Sequence, residues 1–184
     1  MGAIAILKDF VNWVLLLPEL VKLNAKQRQE IRDAVGGVAD ELVRGLDLVA
    51  QRIEASKRIA ESKHARVELR EYLGKSALKL GQSFSEFKIC RGLREKRDHF
   101  TQLFHPVRFT VRRQNVTKVA RLLQELERDE RMIIDEVGPL FRKLRVEAGR
   151  PAAQFLARAD EALRQVEMRK AKVRRLARRV HDRL

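Results

Sequence analysis

The last stretch of the chain, residues 151–184, reads PAAQFLARADEALRQVEMRKAKVRRLARRVHDRL, and its spacing decides the fold. Alternating steps of four and three give Ala152, Leu156, Ala159, Leu163, Val166, Lys170, Val173, Ala177, Val180 and Leu184. Nine of these ten positions are apolar, and Lys170 is the exception. That alternation is the seam of a bundle or coiled-coil helix, because a repeat of about 3.5 residues keeps one stripe facing a partner. At about 1.5 Å per residue the predicted helix spans on the order of 50 Å. A helix with a single apolar stripe cannot bury it alone, so other parts of the chain must supply matching stripes.

Two upstream stretches have the same spacing. Ile31, Val35, Val38, Leu42, Gly45 and Val49 form one series, which Ile53 and Ala60 prolong. Asn24 precedes it and Gln27 follows three residues later, the pattern of a capping box. Gly36-Gly37 lies inside this series. Each Gly costs about 1 kcal/mol relative to Ala in a helix interior, so the pair predicts a hinge or a close helix crossing. Residues 54–75 are mostly strong helix formers and read as an exposed continuation, ending at Gly74 or Gly81. The second series is Val116, Val119, Leu123, Leu126, Glu130, Ile133, Val137, Leu140 and Leu144, with a kink expected at Gly138-Pro139. Between the two, Ser83 and Glu86 open another helical segment, which His105-Pro106 ends. Val107, Phe109 and Val111 read as an extended connector. Gly149 followed by Pro151 predicts a helix end and a restart with Pro at the first helical position.

The N-terminal segment, Ile4 to Leu23, differs from these helices. On a wheel of about 100° per residue, Lys8, Asp9, Asn12, Glu19 and Lys22 share one narrow stripe. Phe10, Trp13, Val14, Leu17 and Val21 occupy the other side, an apolar arc wider than a surface helix needs. Pro18 predicts a kink or a fresh helix start.

Together these patterns predict an all-α fold. The architecture expected is an elongated antiparallel bundle of four to five helices with a long, coiled-coil-like C-terminal helix. Residues 1–148 are expected to form the bundle with its apolar N-terminal helix. Residues 151–184 are expected to form a basic amphipathic helix, packed on the bundle or projecting from it. Composition agrees: of 184 residues only 9 are Gly and 4 Pro, too few for a sheet protein with frequent turns. Hydrophobic residues make up 45%, which argues against disorder despite the high charge. A single Cys excludes a disulfide framework within the chain.

The formal charge is +15, and it is unevenly placed. Residues 1–50 carry six basic and seven acidic groups, whereas residues 151–184 carry ten and four. The cations of the last helix surround its seam, among them Arg169, Lys170, Lys172, Arg174, Arg175, Arg178 and Arg179. Such a helix can follow phosphates, lie on an anionic membrane or dock into a partner's groove. Phe155 is its one Phe, Trp or Tyr, too few for a base-stacking platform, so single-strand readout is disfavoured.

Catalytic and metal signatures are weak. Gly74-Lys75-Ser76 resembles the end of a phosphate-binding loop, but Leu69 stands where that motif needs its first Gly. Glu61 and His64 have the spacing of a di-iron bundle ligand pair, without the second such pair that the site requires. Cys90 lies among Phe87, Ile89 and Leu93, a structural setting for a thiol. No enzyme, metal or cofactor is expected, and no small-molecule substrate is inferred.

The function expected is that of a non-catalytic interaction or assembly protein, acting through helix–helix contacts and a basic face. Leu156, Leu163, Val166, Val173 and Val180 are the expected packing seam. Its partner would be another protein or a second copy of the chain. One alternative is a membrane-active bundle that inserts the face of Phe10, Trp13, Val14, Leu17 and Val21 into lipid. That layout is similar to the helical-bundle effector domains of cell-death proteins of the HeLo and pseudokinase-executioner kind, which pair an apolar N-terminal segment with a basic bundle. A second alternative is nucleic-acid binding without sequence preference. The start of the chain lacks the basic flank of a secretory signal, so a cytoplasmic location is expected, or a peripheral one at a membrane surface.

Overall fold

The computed structural model describes residues 3–20, 24–62, 67–76 and 130–184. These residues form five helices. They are α1 (Ala3–Leu20), α2 (Ala25–Ala60), α3 (67–76), α4 (Glu130–Glu147) and α5 (Ala152–Arg183). The described residues contain no strand. The second capping box at Ser83, the segment around Cys90, the connector at 107–111 and the seam positions 116–126 lie outside them.

α2 begins where its cap residues require. Asn24 is extended, its side chain accepts from the Gln27 backbone N–H at 2.8 Å, and the Gln27 side chain accepts from the Asn24 N–H at 3.0 Å. Two otherwise orphaned donors are thereby satisfied. Every seam position named for this helix is buried, from Ile31 through Val49 and Ile53 to Ala60. Ser56 fills the one polar gap in the seam, donating its hydroxyl to the Ile53 carbonyl at 2.6 Å. The expected hinge at Gly36-Gly37 does not form, since α2 is helical throughout. Nor is Gly36 a point of close crossing, because a Cβ built there meets no atom within 4 Å.

The expected continuation to Gly74 or Gly81 is corrected. α2 stops at Ala60, with the Glu61 N–H turning back to the Lys57 and Ile59 carbonyls. A separate helix, α3, then runs through Gly74 and buries Leu69, Leu73 and Ser76. No Gly or Pro marks that break. α1 runs through Pro18 as one helix and buries Ile4, Leu7, Val11 and Val14, while Lys8, Asp9 and Asn12 face solvent as their stripe predicts. Likewise α4 contains Pro139 and buries Leu140, Phe141 and Leu144.

The turn at Gly149 lies where the sequence predicts, but Pro151 takes the capping position itself. Its carbonyl accepts from Gln154 and Phe155 at 2.9 and 3.2 Å. From there α5 lies on the bundle and does not project. It packs most extensively against α2, and also against α1 and α4. Its buried line is Phe155, Ala159, Ala162, Val166, Lys170, Val173, Leu176, Val180 and Leu184. Ala152 is exposed, and Leu156 and Leu163 are half-buried at the edge of the core. The strict 3.5-residue count therefore misses Phe155, Ala162 and Leu176. These three share a heptad row of their own, while Ala159, Val166, Val173 and Val180 keep theirs along the whole helix, so the buried face is wider than the two rows counted.

Candidate interaction surface on the C-terminal helix

Two ion pairs set the register of α5 against α2. Lys57 Nζ lies 2.8 Å from Asp160 Oδ1, and Lys170 Nζ lies 2.7 Å from Asp47 Oδ1. The pairs are ten residues apart on each helix and run in opposite directions, so the helices are antiparallel. Ten residues of helix span about 15 Å, and over that length the seam residues between the pairs stay in step. The Asp160 hydrogen bond raises the Lys57 pKa above its ordinary value.

Lys170 explains the polar seam position. Its residue is 8% exposed, and Glu167 flanks it on the same helix. Burial pulls the Lys170 pKa down, but the hydrogen bonds to Asp47 and Glu167, with the attraction of both charges, outweigh it and carry the net shift upward. Lys170 is therefore committed inside the bundle and is not part of an outward basic face. Arg169 is half-buried and donates to the Gln165 carbonyl at 3.3 Å.

The remaining cations are different. Lys172, Arg174, Arg175, Arg178 and Arg179 are all exposed, and Arg183 joins them. At about 100° per residue Arg174, Arg175, Arg178 and Arg179 fall on the half of the helix opposite Val173, Leu176 and Val180, and Lys172 and Arg183 flank the buried row. Residues 171–184 contain six Lys or Arg and one carboxylate, Asp182. None of the six forms an ion pair with another described residue. The packing on α2 thus turns the apolar half of this segment inward and leaves an outer face dominated by cations. Val166, Val173 and Val180 are fully buried within the chain, so the predicted seam is spent on the protein's own core.

Other sequence candidates fall elsewhere. Val14, from the proposed lipid-inserting face, is fully buried in the bundle core. The side chains of Phe10, Trp13 and Leu17, and all of Val21, lie outside the described residues. No helix among the described residues is long and apolar enough to cross a membrane. Gly74-Lys75-Ser76 forms helix, not a loop: Lys75 pairs with Glu71 one turn earlier and Ser76 is buried. Glu61 is exposed at the end of α2, and His64 and Cys90 lie outside the described residues. No group of three His, Cys, Asp or Glu among the described residues could hold a metal ion. Sequence reasoning did not find the cleft between α3 and α4, where arginines from both helices meet. No family model, curated protein or solved structure matches this chain.

Proposed function

We propose that this chain is a non-catalytic interaction module that docks an anionic surface on the outer face of α5. One observation carries the reading. Six cations crowd a helix segment whose apolar side is already buried, and no described carboxylate pairs with them. Structural arginines normally find carboxylates, as Arg164 does with Glu161 at 2.7 Å on the same helix. Five of the six are Arg, whose planar fork matches phosphate and carboxylate oxygens.

The reading also constrains the mode of binding. An interfacial amphipathic helix sinks its apolar side into lipid, and that side of α5 is occupied by α2. Binding through α5 is then electrostatic, salt-sensitive and compatible with the folded bundle.

The test uses the full chain and the variant R174Q/R175Q/R178Q/R179Q. Each is titrated with duplex DNA, with vesicles of phosphatidylcholine and phosphatidylserine, and with polyglutamate, across a salt series. On duplex DNA, six contacted phosphates give a log–log salt slope of about −5, and the variant loses about 3–4 units of it. The partner class is the one bound most tightly in parallel at moderate salt. Failure to bind any of the three at low salt, or unchanged binding by the variant, overturns the reading.

A further inference from the structure

A second cationic site lies away from the face on α5. α3 meets α4 and the turn that follows it through two reciprocal contacts. The Arg70 guanidinium from α3 lies over Gly149, with Nη2 2.6 Å from the position a Cβ would take there. The Arg145 guanidinium carbon from α4 is 3.8 Å from the corresponding position on Gly74. One step up α3 matches one step down α4, so the crossing is antiparallel. It brings Arg70, Arg142 and Arg145, with Val146, around a cleft of about 440 Å³.

No carboxylate among the described residues lines this cleft. The nearby acids are engaged elsewhere, Glu147 with Arg150 at 3.1 Å and Glu71 with Lys75. Arg142 and Arg145 are three residues apart, a like-charge spacing that destabilises a helix when nothing offsets it. A third guanidinium from another helix adds to that repulsion. An anion with several oxygens would offset it, and guanidinium forks bind such groups in pairs of hydrogen bonds.

We infer that Arg70, Arg142 and Arg145 form a binding site for a phosphate-bearing dianion, either a free phosphate compound or a phosphomonoester headgroup at a lipid surface. Gly149 is part of the site, because only a residue without Cβ leaves the Arg70 guanidinium where it lies.

The test is calorimetric titration of the full chain with inorganic pyrophosphate at low salt. In parallel, flotation is measured with phosphatidylcholine vesicles containing or lacking phosphatidic acid. The variants are R142Q/R145Q and Gly149→Ala, with Lys26→Gln, an exposed cation in the first turn of α2, as a control. Loss of charge-assisted hydrogen bonds predicts an affinity at least about tenfold weaker for R142Q/R145Q. Gly149→Ala is expected to weaken binding several-fold while its helix content and melting stay unchanged. Its φ is not positive, and the displaced group is the tip of a flexible side chain. Lys26→Gln should bind as the parent does. Pyrophosphate binding lost in the cleft variants supports the site with a free ligand. Binding only to phosphatidic acid vesicles, lost in the same variants, supports it with a headgroup. Binding to neither probe, or binding that the cleft variants leave intact, overturns it.

Discussion

The two halves of α5 bury the same stripe and treat their charges in opposite ways. In the half up to Lys170, each carboxylate meets a cation. Asp160 meets Lys57, Glu161 meets Arg164, and Lys170 lies between Asp47 and Glu167. In the half after it, Val173, Leu176 and Val180 continue the buried line, but six cations share one carboxylate. Packing demands are equal along the helix, so they do not explain the difference. A charge that the fold does not use is the part of the surface most open to a partner.

The largest expected effect breaks the part that the halves share. Val166→Asp and Val173→Asp each place an unpaired carboxylate at a position with no solvent exposure. Burying such a group costs about 4 kcal/mol or more. Both variants should lose cooperative urea unfolding to a similar degree. If only Val166→Asp did so, the second half would not be docked in solution and its cations would belong to a free arm.

A smaller effect sits at the junction. Lys170→Ala removes a packed stem and leaves two carboxylates that are about half exposed, so water replaces part of the lost partner. A loss of about 1–2 kcal/mol is expected, between surface and fully buried ion pairs. Lys170→Met keeps the stem, drops the desolvation cost and should lie within about 1 kcal/mol of the parent. The pH dependence follows from the raised lysine pKa values. The ion pairs of Lys57 and Lys170 contribute fully below the ordinary value of 10.5 and fade as pH rises through the higher folded-state values. Urea midpoints at neutral pH and at about pH 11 should therefore move in favour of Lys170→Met relative to the parent.

Local pattern made much of this legible. The α2 seam and its capping box follow from spacing alone, since burial of a stripe depends on period and a cap on residues three apart. Lys170 announced itself as the one polar seam position, but its partner Asp47 lies 123 residues away and no local pattern links them. The break after Ala60 carries no Gly or Pro, so no local signal marked it. Phe155, Ala162 and Leu176 fall on a third row of the buried face, which a two-row count leaves out. The basic helix was legible as composition. Which of its cations face outward required the α2 contact, and the Arg70, Arg142 and Arg145 cleft required two helices from distant parts of the chain.

Glycine on the facing helix offers an intermediate test. Extending the α2–α5 register places Gly36 near the last turns of α5. A Cβ there meets open space. Gly36→Ala should stabilise the protein by about 0.5–1 kcal/mol, because it lowers the entropy of the unfolded chain at no steric cost. A rise in Tm with unchanged anion binding would show that the cationic half needs no flexibility in α2 to act.

The smallest effect separates the halves most cleanly, because its sign changes between them. Arg164→Gln breaks an exposed pair three residues apart and should lower the urea midpoint slightly. Arg175→Gln removes one cation from a face where no described carboxylate pairs with it. Stability there should hold or rise by a similar amount, as repulsion among its neighbours falls. Added salt screens both interactions, so the two urea midpoints should converge on the parent at high ionic strength, from below for Arg164→Gln and from above for Arg175→Gln. A loss of stability in Arg175→Gln that persists in high salt would mean its stem packs into the fold, and the outer face would then owe its arginines to structure.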